Sequence, residues 1–245
     1  MGLHLIYKNR GETPLQALER LREKENIEKN ISMTYAGRLD PVAEGLLLIL
    51  SDKDVYRKEE FLTLPKTYEF EVLFGVQTDS LDILGIVDGT IVPNDSVSRE
   101  VFKLLTDFVG RFEWEYPDYS SKTVLGKPLF QHAREENEIS KPAREMVVDG
   151  LDVLGMKVLN LEDLEEEIIS NIQNVKGDFR QEEILESWKK TFTIYGNKHF
   201  SVIKFRAEVH SGTYIRVLAQ KMAESLGLPG MALSIKRTKI GSMSL

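Results

Sequence analysis

A chain of 245 residues, 42% hydrophobic and 29% charged, is long enough to bury a substantial core as one large domain or two small ones. It has no cysteine, which excludes disulfides, thiolate metal sites and cysteine nucleophiles, and its four histidines (His4, His132, His199, His210) lack ligand spacing, so no metal is expected. No apolar run reaches the roughly 18 residues of a membrane span, the start lacks a signal-peptide pattern, and no glycine-rich phosphate loop follows a strand; a cytoplasmic protein without membrane contact is expected.

In chain order, residues 2–7 read as a strand. Thr13 then caps a helix with Pro14 at its first position and Leu15, Leu18 and Leu21 along one side, running to about Asn30. A loop carrying Tyr35-Ala36-Gly37-Arg38-Leu39-Asp40-Pro41 leads into an apolar run that ends at Leu50. Residues 66–74 alternate, with Tyr68, Phe70, Val72 and Phe74 on one face. Residues 85–92 read as the antiparallel return strand. Ser96 caps a second helix that ends at Gly110, and a strand covers 111–117. Residues 118–143 are polar, basic and glycine-containing, an excursion from the core. Strands follow near 144–158, a hairpin at 188–195 and 200–210, a helix from Thr213 to Leu226 closed by Gly227, and a last strand at about 232–240. This pattern predicts an α+β fold around a mainly antiparallel mixed sheet with flanking helices, in a single domain spanning 1–245.

Segment 161–187 holds nine acidic against two basic residues, so it carries the whole net charge of −7 and leaves the remainder neutral. It reads as an acidic, solvated helical insertion. Elsewhere a local basic surface is open to the chain, with Lys236, Arg237 and Lys239 as one candidate wall.

The chemistry centres on Asp40. An aspartate in a tight loop bounded by Gly37 and Pro41, directly before a buried strand, is held rigidly at the edge of the core. A turn aspartate that bonds its own backbone is the alternative for Leu39-Asp40-Pro41 alone. The longer string, residues 37–50, resembles the catalytic motif of the pseudouridine synthases, G-x-L-D-P-x-A-x-G-x-L in the TruB branch. That resemblance puts the family's nucleophile at Asp40. Arg38, Glu44 and the leucine run also resemble the form found in ribosomal-RNA branches.

Other segments bear on the branch. Lys66-Thr67-Tyr68 resembles the K-x-Y motif of TruB enzymes, which implies that Tyr68 lies against the target base and serves proton transfer; an ordinary strand aromatic is compatible with the same position. Thr78-Asp79-Ser80-Leu81-Asp82 through Gly85 is similar to T-D-T-x-D-x-x-G and implies that Asp82 supports the active-site charge network. Pro117-Asp118-Tyr119-Ser120, Gly126 to Phe130 and Ala133-Arg134-Glu135 resemble the start of the family's thumb loop, here about 118–143. Lys122, Lys127, Arg134, Lys141 and Arg144 would meet phosphates there, and Tyr119 and Phe130 would stack on bases; a flexible basic surface loop is the other reading. Ser211-Gly212-Thr213-Tyr214-Ile215-Arg216 resembles S-x-G-T-Y-I-R. It implies that Arg216 pairs with Asp40 and orients it, with Tyr214 in support. A helix-surface arginine is the alternative. Arg237 to Gly241 is similar to the R-R-T-x-x-G end of the family's catalytic domain, and Arg237 is taken as an RNA contact.

Three departures stand out. Lys8 to Pro14 differs from the usual K-P-x-G-x-[ST]-S. Tyr35 occupies the histidine position of the family's G-H-T-G turn, where it could stack on a base. The lysine of P-x-Y-S-A-x-K falls on Thr123, with Lys122 beside it. The family's small C-terminal RNA-binding domain is not found in these 245 residues, which implies weaker contact with the far end of a tRNA. The resemblance thus implies a monomeric isomerase, free of cofactor and metal, that converts uridine to pseudouridine in RNA, foremost in the tRNA T-arm. A synthase for ribosomal or other RNA, and a non-catalytic RNA-binding or RNA-folding protein on the same scaffold, are the alternatives.

Overall fold

The computed structural model describes residues 2–94 and 96–245. In chain order its elements are β1 (Leu3–Lys8), α1 (Pro14–Lys24), β2 (Met33–Ala36), β3 (Glu44–Ser51), α2 (Lys58–Leu62), β4 (Lys66–Phe74), β5 (Val76–Thr78), β6 (Val87–Thr90), α3 (Val97–Leu104) and β7 (Gly110–Glu115). There follow β8 (Thr123–Val124), β9 (Lys127–Pro128), α4 (Leu129–Arg134), β10 (Ala143–Asn160), α5 (Glu165–Gln173), α6 (Gln181–Tyr195), β11 (His199–Val209), α7 (Ile215–Glu224), β12 (Gly230–Ile240) and β13 (Met243–Ser244).

Among the described residues the main sheet runs β1-β3-β12-β4-β11-β10-β7, with β2 added to β3 and β13 to β12. All these pairings are antiparallel except β12 with β3, where Lys236 and Arg237 lie beside Glu44 and Gly45. The expected α+β class and mainly antiparallel mixed sheet are therefore found. The alternation read in 66–74 is real: Tyr68, Phe70, Val72 and Phe74 pack with Ile203, Phe205, Ala207 and Val209 of β11, beneath α7 and α3. The opposite face buries Leu73, Val202 and Met231 against Ile168, Ile172, Ile184 and Trp188 of α5 and α6.

Several local expectations are corrected. Helix α1 begins as read, with a reciprocal capping box between Thr13 and Gln16, but ends at Lys24 because the chain turns back over Glu25 and Asn26, where φ is +53°. Part of the expected loop before Asp40 is a strand, β2, paired with β3 from Met33–Ser51 to Ala36–Leu48. Ser96 makes no capping bond, and α3 stops at Leu104 before a short 3₁₀ turn. The return strand in 85–92 is only β6, and it pairs with β5, since both edges of β4 are occupied by β11 and β12.

The largest difference is at 188–195. Its β-branched and aromatic residues suggest a strand, yet it is the second half of α6. Ile184, Trp188 and Phe192 recur at helical spacing and are buried together, and that burial outweighs local β preference. Strand β11 pairs instead with β10 and β4. The acidic segment is helical as read but not merely solvated, because one face of its helices closes the second core.

Candidate active site

The loop between β2 and β3 is pinned by two buried cations that donate to its carbonyls. Lys8 Nζ donates to Ala43 O (2.6 Å), Asn9 O (3.1 Å) and Pro41 O (3.3 Å). From the other side Arg237 Nε donates to Leu46 O (2.7 Å) and Nη1 to Arg38 O (3.2 Å). Gly45 lets β12 come this close: its φ is +111° and a β-carbon there would collide with the Arg237 backbone. Between these clamps the Asp40 carbonyl accepts from Ala43 N–H at 3.0 Å, and the carboxylate is left to project from the loop.

Arg216, in the first turn of α7, meets that carboxylate. Its Nε donates to Asp40 Oδ2 at 2.8 Å and its Nη2 approaches Oδ1 at 3.3 Å. The same guanidinium donates to the backbone carbonyls of Ser80 and Tyr119 and lies 3.6 Å from Asp82 Oδ2. Arg216 is 3% exposed and Asp82 4%, whereas the Asp40 side chain is 40% exposed. One buried arginine thus sits between a sequestered carboxylate and an accessible one. Burial alone would pull its pKa down, but Asp40 and Asp82 more than offset this and raise it.

Asp82 is held by Ser80 Oγ (2.7 Å) and by the Leu84 N–H (2.9 Å). Burial pushes its carboxyl up to about 6; Arg216 opposes that rise and the Asp40 charge adds to it. Tyr68 is 9% exposed and accepts from Arg237 Nη1 at 3.4 Å through its hydroxyl. Tyr214 packs edge-on against Tyr116, and burial raises its phenol.

These groups line a pocket of about 910 Å³, within the usual size range of sites for small organic groups. Asp40, Tyr68, Asp82, Tyr214, Arg216, Arg38, Tyr35, Tyr119, Phe130 and Arg134 all reach it. Arg38 is exposed, and Tyr35 stands at the mouth with Lys58 Nζ 5.7 Å from its ring centre. Lys122 and Lys127 lie outside the lining and are exposed; Lys122 sits over the Tyr116 ring and Lys127 pairs with Glu135 at 2.8 Å. The guanidinium of Arg180 lies over the Tyr119 ring, 4.4 Å from its centre.

Arg237 requires correction as a wall of a surface groove. It is 1% exposed, because β12 is an inner strand of the sheet, and its guanidinium supports the Asp40 loop from below. Arg144, expected to meet phosphates, lines the pocket, whereas sequence reasoning passed over Lys8, Lys58 and residues 178–180. Lys8 stands in a stretch that departs from the usual motif, and nothing local marks it as buried. Residues 178–180 fall in the segment read as solvated, yet they line the pocket.

The model of the TruB family pseudouridylate synthase N-terminal domain matches residues 24–177. The chain is 28% identical to the tRNA pseudouridine synthase B of Aquifex aeolicus, over all of this chain and 70% of that protein. It is 29% identical to the tRNA pseudouridine synthase B of Lactococcus lactis subsp. cremoris (strain MG1363), over 97% of this chain and 61% of the relative. Among solved structures, one titled "Crystal Structure of a Cbf5-Nop10-Gar1 Complex" superposes with a TM-score of 0.59 at 17% identity, covering 99% of this chain and 50% of that one; at that identity it shows a shared fold. With the family model matched over more than half of its residues, the chain belongs to the TruB family of pseudouridylate synthases.

Proposed function

We propose that this chain isomerises uridine to pseudouridine in RNA, with the T-loop uridine of tRNA, position 55, as its foremost substrate. The observation that carries the reading is the Asp82–Arg216–Asp40 array, with its accessible carboxylate at the pocket and its buried one behind. The names of its relatives support tRNA as the substrate class, although the chain spans only 61–70% of the length of the two compared above.

A uridine must leave its stack before its glycosidic bond can be reached. The pocket is large enough for one extruded nucleotide, and Tyr35, Phe130 and Tyr119 are placed around it as stacking surfaces. Asp40 then acts as nucleophile while the N1–C1′ bond breaks. The uracil turns, C5 bonds to C1′, the bond to Asp40 is released, the C5 proton leaves and N1 takes up a proton, so the atoms balance without a further reactant. Tyr68 lies where its hydroxyl can assist the proton step. Arg216 fixes the Asp40 carboxylate through two nitrogens, the geometry that favours arginine over lysine. Lys122, Lys127 and Arg134 supply thumb contacts to phosphates.

The decisive experiment incubates the purified protein with an unmodified tRNA transcript and maps pseudouridine by position. Product at the T-loop is expected. Product only in ribosomal RNA fragments added in competition would transfer the activity to that substrate, the alternative that Arg38 and Tyr35 suggest. RNA binding with no product at all would leave only a binding protein.

A further inference from the structure

The acidic helical segment reaches the pocket through residues 178–180, in the turn of 174–180 that joins α5 to α6. This turn is tied internally: Gln181 Nε2 donates to Gly177 O (2.7 Å) and Val175 O (3.1 Å), and Gln181 Oε1 accepts from the Phe179 N–H (2.9 Å). Arg180 occupies the left-handed region, φ +62° and ψ 32°, a conformation that residues with a β-carbon adopt infrequently.

So held, the turn touches three separate parts of the site. Lys176 N–H donates to Gly11 O (3.2 Å), and Gly11 N–H donates to Pro41 O (2.8 Å), next to Asp40. Asp178 O accepts from Arg134 Nη2 of α4 at 2.9 Å. Arg180 Nη1 bonds Asp79 Oδ2 at 3.0 Å while its guanidinium covers the Tyr119 ring. Tyr119 in turn offers its backbone carbonyl to Arg216 Nη2 at 3.0 Å. A short chain of contacts therefore runs from Arg180 through Tyr119 to the arginine that holds Asp40.

We infer that Arg180 is a positioning residue: it clamps the root of the thumb against Asp79 and so keeps the Tyr119 carbonyl, and through it Arg216, in register with Asp40. Asp79 supplies the fixed charge, Arg180 bridges from it to the Tyr119 ring, and the peptide of Tyr119 transmits the placement. A cation suits this role because it can pair with a carboxylate while lying over the face of an aromatic ring. The acidic segment is then part of the catalytic apparatus. The inference rests on the proposed uridine isomerisation.

The test measures single-turnover rate and RNA affinity on the full chain with an unmodified tRNA transcript. Arg180→Met should slow the single-turnover rate roughly 10- to 100-fold, the scale of a small misplacement of reacting groups, with a smaller effect on affinity. Arg180→Lys, which keeps the charge beside Asp79 and over the ring, should recover most of that loss. Tyr119→Leu retains the carbonyl and loses the ring, both as the surface under Arg180 and as a stacking surface for RNA, so it should slow the reaction too, and the double variant should be no slower than the worse single one. A rate for Arg180→Met within about twofold of the parent, or losses that simply add, overturns the inference; so does failure of Arg180→Lys to rescue. If Arg180→Met does not fold, Asp79→Asn decides, since it removes the charge that fixes Arg180 and leaves the Tyr119 ring in place; a rate well below the parent is expected, and one within about twofold overturns the inference. A parent that forms no pseudouridine sinks the isomerase reading and this inference with it, whereas an active parent with an unaffected Arg180→Met sinks this inference alone.

Discussion

Arg216 and Asp40 are 176 positions apart in the chain, yet Nε of one lies 2.8 Å from Oδ2 of the other. The pair joins the first turn of α7 to the loop between β2 and β3. Asp40→Ala should remove the nucleophile with little effect on folding, since that side chain is 40% exposed. Turnover should fall roughly 10⁴-fold or more, the scale seen when other enzymes lose a nucleophile. Substantial residual pseudouridine formation by the purified variant would place the nucleophile elsewhere.

Arg216→Met acts differently, because it strips a buried carboxylate of its partner. Breaking a buried ion pair costs about 3–5 kcal/mol, and Asp82 has no other cation among its closest contacts. Its carboxyl is already pushed up to about 6 by burial, and the substitution removes the one charge that opposes the rise. A carboxyl with a raised folded-state pKa binds more protons folded than unfolded, so stability falls as pH rises through that value. The deficit of Arg216→Met in urea unfolding should therefore be smaller at pH 5 than at pH 7. An equal deficit at both would refute the assignment to Asp82.

The same group shapes the acid limb of activity. Protonation of Asp82 removes one of the two negative charges that hold Arg216, so single-turnover rates should decline as pH drops through about 6. Asp82→Asn should be slower at neutral pH and should lack that limb. A limb that persists unchanged in the variant belongs to another group.

Gly45→Ala tests the clamp beneath the loop. The φ of +111° is unfavourable for alanine, and the new methyl would press on the Arg237 backbone. Strained backbone alone costs of order 1–3 kcal/mol, and separation of β12 from β3 would release the Arg38 and Leu46 carbonyls from Arg237. Both thermal stability and turnover should fall. A variant as stable and as active as the parent would show that the close approach is dispensable.

Trp188→Ala examines whether α6 belongs to the core. The ring is fully buried, stacks on Phe192 and donates Nε1–H to Ile83 O at 3.1 Å. Removal of a large aromatic from such a position costs about 3–5 kcal/mol, and because Ile83 adjoins Asp82 the loss should also slow turnover. Calorimetry showing less than about 1 kcal/mol would be out of line with a core position and would return the segment to the surface.

The sequence by itself determined what depends on neighbours along the chain. Period-two alternation disclosed β4 and β11, the Thr13–Gln16 box opened α1, and the motif strings singled out Asp40, Asp82, Tyr68 and Arg216, because a reaction of one kind places the same residue types at the same short spacings. The tertiary structure decided everything that turns on burial by distant partners. It made a helix of 188–195, since Trp188 and Phe192 find a sheet face to cover. It moved Arg237 from a surface to the floor of the site, since β12 lies between β3 and β4. It carried residues 178–180 from a segment that reads as solvated charge to the wall of the pocket. A local pattern states which conformations a segment can adopt, whereas which face is covered, and which charge meets which, is settled only when strands far apart in sequence pair.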